Sequence, residues 1–167
     1  MKPRIIGLLG RAGRGKDTVA AYIISKHPEY INVKFAKIIK EMCCILFDWD
    51  MGQIEGAQKN TRDSRWNLSP REAMVFITGV FREKMGADFF SKRIFEKHLD
   101  DYIIITDLRY EPDVQEIKKR GGIIIKILKD TEPMYEWEND IEGFYADYTV
   151  YNNGSLEELY RQINQIV

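Results

Sequence analysis

Residues 4–20 read RIIGLLGRAGRGKDTVA: an apolar run, a glycine-rich turn and the opening of a helix. Gly10, Gly15 and Lys16 have the G-x-x-x-x-G-K spacing of a phosphate-binding loop. Glycines let successive backbone N–H groups turn inward around phosphate oxygens, and the following helix adds the positive end of its dipole. Lys16 is expected to reach the β- and γ-phosphates. Arg11, Gly13 and Arg14 lie inside the loop, the two arginines adding cations where phosphate charge would gather. The next position ordinarily carries a Ser or Thr hydroxyl for magnesium. Here it is Asp17, followed by Thr18, whose hydroxyl suits the α-phosphate. A carboxylate in the first helical turn complements the dipole, yet it also faces the charge of a bound nucleotide. It therefore needs a cation beside it, and magnesium, held directly or through water, is the expected one.

Outward from this loop, apolar runs recur at 4–10, 31–36 (INVKFA), 102–106 (YIIIT), 122–128 (GIIIKIL) and 148–151 (YTVY). They are rich in Ile and Val with little alternation, as in parallel strands covered on both faces. Helical patterns separate them. Residues 16–26 follow the loop, and 36–47 carry Ile38, Met42, Ile45 and Leu46 at helical spacing. Ser69, Pro70 and Glu72 form an N-cap, first-turn proline and capping-box signature. Further helices are expected at 87–99, at 111–120 before the Gly121–Gly122 stop, and from Ser155 onward. The alternation predicts an open α/β sheet of five parallel strands. Two polar, weakly patterned stretches, 48–68 and 129–147, are expected to be mobile substrate-covering segments of one domain spanning 1–167.

The totals narrow the class. A chain of 167 residues with 44% apolar and 31% charged side chains has the balance of one globular domain. A formal charge of −1 argues against coating nucleic acid, though a local cation cluster still suits a small anion. Cys43 and Cys44 are helix neighbours, about 100° apart, so they are poor disulfide partners and read as small buried hydrophobes in a reducing cytoplasm. The apolar run ending at Leu9 is too short for a signal peptide, and no later stretch approaches a membrane span.

Asp107 ends the apolar run at 102–106, where open sheets present ligand-facing residues, and it could hold a water of a magnesium shell or a sugar hydroxyl. Arg109 points toward the same mouth, its planar guanidinium suited to phosphate. Arg71 sits in a first helical turn, an unfavourable place for a structural cation. An acceptor phosphate there would account for it, and surface pairing with Glu72 or Asp63 is the bland alternative. Between Lys129 and Arg161 there is no Lys, Arg or His. An arginine closing over phosphates must then come from 59–65, from the helix 71–93, or from Arg11 and Arg14.

These features resemble the deoxynucleoside monophosphate kinases of phage type. G-x-x-x-x-G-K-D-T looks like that family's phosphate loop, and it is also similar to that of animal-type phosphomevalonate kinases. FAKIIKEM at 35–42 resembles the family's A-x-P-I/L-K segment, with Lys40 on its lysine and the proline unmatched. Residues 69–95 are similar to its R-x-L-x-Q-x-L-G-T helix and the following aromatic element, with Arg71 and Phe90 in matching places. TDLRYEPDV at 106–114 is similar to D-x-R-x-x-x-E, Asp113 replacing the Glu, and YNNGSLEEL at 151–159 is close to the family's N-D-G-S-L-E-E-L ending. The resemblance implies a three-layer P-loop NTPase sandwich of the nucleoside monophosphate kinase kind.

On the same ground ATP would contact Gly10, Arg11, Gly13, Arg14, Gly15, Lys16, Asp17, Thr18, Asn152 and Gly154. The acceptor would contact Phe35, Ala36, Lys40, Arg71, Phe90, Asp107, Arg109 and Asp113. Lys16, Arg109 and Arg71 would be catalytic, with Mg2+ near Asp17 and Asp107. The expected partners are ATP and a deoxynucleoside monophosphate, with neither nucleic acid nor membrane, and a homodimer is left open. The location would be cytoplasmic, that of the host if the gene is a phage's. Kinases of phosphomevalonate or dephospho-coenzyme A, and a nucleotide-binding module without turnover, remain the alternatives. A GTPase switch does not, since N-K-x-D does not occur and the segment at Asp107 reads D-L-R-Y rather than D-x-x-G.

Overall fold

Strand β1 (Ile5–Leu9) runs through the middle of a five-stranded parallel sheet, and the glycine loop leaves from its end. In the computed structural model, which describes residues 2–130 and 143–167, the sheet order is β2–β3–β1–β4–β5. The other strands are β2 (Tyr30–Val33), β3 (Tyr102–Ile105), β4 (Ile123–Leu128) and β5 (Tyr148–Tyr151). All four pairings are parallel, with Gly7 opposite Ile105 on one side and Ile124 on the other.

Successive side chains of a strand face opposite ways, and the core follows that period. Ile6, Leu8, Ile104, Ile125, Ile127 and Val150 pack with Val19, Ala20 and Ile23 of α1 (Lys16–Lys26) and with Leu159 and Ile163 of α7 (Leu156–Ile163). Tyr22 and Tyr160 stack at 3.8 Å between those two helices. On the opposite face Ile117 of α6 (Glu111–Lys119) closes over Gly7 together with Leu108 and Ile124. The three middle strands are largely buried, as their apolar runs predict. The edge strands are not: Ile31, Tyr148 and Tyr151 are exposed, because an edge strand has only one neighbour to cover it.

The chain groups into two compact units, one made of Met1–Lys34 with Ser91–Val167 and the other of Phe35–Phe90. The second unit contains α2 (Ala36–Phe47), α3 (Met51–Glu55), a 3-10 turn at Ala57–Asn60 and α4 (Pro70–Met85). Helix α5 (Phe89–Lys97) begins at its last residues. The buried row of α2 is Ile39 and Cys43, four apart on one face, whereas Ile45 and Leu46 of the predicted stripe are exposed. Stretch 48–68 is not the plain loop its composition predicts. Asp50 caps α3 in a capping box with Gln53, Asp63 bridges to Leu68, and buried Trp49 donates its indole N–H to Asp63 at 2.7 Å. Stretch 129–147, the other predicted covering segment, lies for the most part outside the described residues. Among the described residues no helix is long and apolar enough to cross a membrane.

Candidate active site

In a parallel sheet all the strands finish at one edge, and ligands gather there. Each strand of this sheet delivers a polar group to that edge. β1 delivers the glycine loop. Gly15 takes φ +98 and caps α1, and a Cβ there would lie 2.7 Å from the side-chain nitrogen of Asn152. A Cβ on Gly10 would lie 2.6 Å from the carbonyl oxygen of Ile127 on β4. Only glycine permits so close a passage of the loop over its neighbours.

Asn152 follows β5 directly. Its backbone N–H donates to the carbonyl of Leu128 at 2.8 Å, and its side-chain amide donates to the carbonyl of Arg14 at 2.9 Å. Arg14 is 3% exposed, and its guanidinium donates to the carbonyl of Lys129 just beyond β4. From sequence Arg14 is expected to face phosphate; in the structure it is buried and fastens the loop to the end of β4. Lys16 Nζ donates to the carbonyls of Gly10 and Arg11 at 2.6 and 2.7 Å, which lays the ammonium across the loop.

The other side of the loop meets β2 and β3. Asp17 projects from the first turn of α1 and accepts a hydrogen bond from Lys34 Nζ at 2.8 Å. Lys34 is the first residue after β2, and Thr106, the first after β3, donates its hydroxyl to Asn32 Oδ1 at 3.4 Å. The Lys34 bond, ahead of the opposing effect of burial, holds the Asp17 carboxyl below the ordinary aspartate range. Half-buried Asp107 comes next after Thr106, and exposed Arg109 two residues later. The structure therefore joins Lys16 to Gly10, and Asn152 to Arg14 and Gly15, through direct contacts, with Asp17 bonded to Lys34 and Asp107 and Arg109 following β3. Thr18 is half-buried in the first turn of α1.

This edge suits a hard divalent cation. Its donors are carboxylate and hydroxyl oxygens, and among the described residues no cluster of three or more His, Cys, Asp or Glu forms an all-protein cage. Magnesium is commonly held by one or two carboxylates together with substrate phosphates and water, and the pair Asp17 and Asp107 fits that pattern.

Two further predicted ligands of the first unit differ in exposure, Asp113 being buried and Gly154 exposed. Asp113 is completely buried in the first turn of α6, leaving it no surface to offer a ligand. Gly154 packs on the carboxylate of Glu158, which returns to the N–H of Ser155 at 3.0 Å in the cap of α7.

In the second unit, Arg71 lies in the first turn of α4, capped by Ser69 and Glu72 as its sequence predicts. Both acids suggested as its surface partners are engaged elsewhere. Glu72 binds Arg62 at 2.7 Å, and Asp63 binds Arg65 at 2.6 Å. Lys40 pairs with Glu55 of α3 at 2.7 Å. Phe35 is buried at the start of α2, with Ala36 half-buried beside it. Phe90 is 3% exposed within an aromatic cluster, 6.0 Å from Phe81 and 5.2 Å from Phe89, with Arg82 over its ring. That is a core position, where sequence alone suggests a wall for a base. Lys34, Thr106 and Lys129 escape sequence reading. The usable signal was their place, one residue past the end of a parallel strand.

A central strand, its glycine loop and four flanking strand ends carrying these groups define a P-loop kinase, and the chain is a phosphotransferase of that class. Solved structures agree on the fold. Dephospho-CoA kinase from Campylobacter jejuni superposes with a TM-score of 0.55 at 14% identity, over 98% of this chain and 94% of that one. Shikimate kinase from Aquifex aeolicus gives 0.50 at 18% identity, over 96% and 94%. No protein-family profile matches the chain. A curated protein of Acanthamoeba polyphaga mimivirus, named "Putative deoxynucleotide monophosphate kinase", is 31% identical over 95% of this chain and 93% of its own length. The chain belongs to the deoxynucleotide monophosphate kinase family. That relative comes from a giant virus, where the resemblance pointed to phages.

Proposed function

We propose that the protein transfers the γ-phosphoryl group of ATP to the 5′-phosphate of a deoxynucleoside monophosphate, releasing ADP and the deoxynucleoside diphosphate. The observation that carries this reading is the end-to-end likeness to the mimivirus protein, which extends well beyond the phosphate loop. The acceptor's phosphate has its second pKa near 6, so at neutral pH it is already a dianionic nucleophile and needs no general base. What the chain must supply is alignment and positive charge.

Lys16 and the N–H groups of the loop hold the β- and γ-phosphates. Lys16 leaves its loop carbonyls to follow the charge that develops on the moving phosphoryl group. Arg109 clamps the group in transit, and Arg71 and Lys40 draw in the acceptor phosphate. Arg11 adds charge at the loop. Asp17 and Asp107 hold Mg2+, which when bound supplies Lewis-acid neutralisation of phosphate charge. Stretch 48–68 covers the acceptor. The enzyme works as a cytoplasmic protein on small molecules alone.

The test is ADP release from ATP and magnesium with each of the four dNMPs, the ribonucleotides, phosphomevalonate and dephospho-coenzyme A as acceptor. Turnover with at least one dNMP, lost in Lys16→Ala, is the expected result. Turnover only with phosphomevalonate or dephospho-coenzyme A, or with no acceptor at all, overturns the proposal.

A further inference from the structure

The ion pair between Lys34 and Asp17 carries a consequence for how the loop meets its ligand. Phosphate loops bind anions through N–H groups, a helix N-terminus and a lysine, and a carboxylate in the first turn works against all three. In this chain the carboxylate is held by Lys34 Nζ at 2.8 Å. The two side chains are 42% and 74% exposed, and ion pairs that open to water contribute little to folding. The pair has another effect at the loop, since Asp17 directly follows Lys16, whose ammonium lies on the loop carbonyls. With Lys34 in place, Asp17 adds no net charge to the loop. Without it, a bare carboxylate stands beside the phosphates.

We infer that Lys34 is a positioning residue that neutralises Asp17, so that the loop binds a nucleotide polyphosphate without a divalent cation. Lys34 is thus the resident counter-ion that replaces the usual Ser or Thr arrangement, in which no compensation is needed. The inference rests on the reading that this loop binds nucleotide. It adds that magnesium is required for turnover and not for occupancy. It also predicts a specific coupling: Lys34 matters to binding only while Asp17 is charged.

The experiment is titration calorimetry with ADP on the full chain, in EDTA and in magnesium, for the wild type, Lys34→Met and the double variant Asp17→Asn with Lys34→Met. Thermal melts confirm that each is folded. In EDTA the wild type binds ADP, Lys34→Met binds about tenfold more weakly, and the double variant returns to within about twofold of wild type. In magnesium the loss in Lys34→Met shrinks. Equal affinity of Lys34→Met and wild type in EDTA overturns the inference, as does a double variant no tighter than Lys34→Met. Wild-type binding seen only with magnesium also overturns it and leaves the phosphate-loop reading standing. A wild type that binds ADP under neither condition overturns both.

Discussion

The side-chain amide of Asn152 donates to the carbonyl oxygen of Arg14 at 2.9 Å, joining the end of β5 to the glycine loop 138 residues earlier. The same amide nitrogen lies against Gly15, where a methyl group would approach to 2.7 Å. One side chain thus fixes both the shape of the loop and the identity of a loop residue.

Asn152→Ala removes one hydrogen bond, worth about 1 kcal/mol net, so KM for ATP should rise about fivefold with little change in kcat. Gly15→Ala adds left-handed strain of roughly 1–2 kcal/mol to a steric collision, and should cost considerably more. If the two variants show equal and unchanged KM for ATP, the loop does not depend on β5.

Asp147 locks the start of β5 to β4. Its carboxylate accepts from Lys118 Nζ at 2.6 Å, from the Ile124 N–H at 2.7 Å and from the Tyr145 hydroxyl at 3.0 Å. Burial pushes this carboxyl up, and the three donors outweigh burial and leave it below the ordinary aspartate range. A depressed carboxyl stabilises the fold fully above that range and loses its contribution as pH falls through its folded pKa. Asp147→Asn should therefore lower the melting temperature at neutral pH, by roughly 1–2 kcal/mol of stability, and have a smaller effect in strong acid. Melting curves from neutral to acid pH check this; a difference that grows on acidification contradicts it.

Phe90 separates the core reading from the ligand reading. Phe90→Ala empties a buried aromatic site, and large-to-small changes of this kind cost about 3–5 kcal/mol. The milder Phe90→Leu should lower the melting temperature while KM for every acceptor stays near wild type. A selective rise in KM for one nucleotide, at unchanged stability, would restore Phe90 as a base contact.

Much of this fold is legible in the sequence because its signals are local. Runs rich in Ile and Leu mark the three middle strands, Ser69 and Ser155 cap their helices, and Gly121–Gly122 ends α6. Stretch 48–68 is harder to read. Its α3 is only five residues long, too short to show a period, although Asp50 and Gln53 announce the cap. Within the site, the spacing of Gly10, Gly15 and Lys16 suffices to find the loop. Lys34 is a different matter: its partner lies 17 residues away, and only the pairing of β2 with β3 brings it to Asp17. Arg14 shows the same limit. Its charge is plain in the sequence, but its burial beneath Lys129 follows from the order of the strands.

The most direct test of phosphoryl transfer at this sheet edge is a single-turnover experiment. ATP labelled in the γ-phosphate is mixed with excess enzyme, magnesium and the preferred dNMP, for wild type and Lys16→Met. The account predicts that label passes to the deoxynucleoside diphosphate in the wild type, and that Lys16→Met, still folded, is slower by about a thousandfold. Label recovered only as inorganic phosphate, or equal rates in the two proteins, would contradict it.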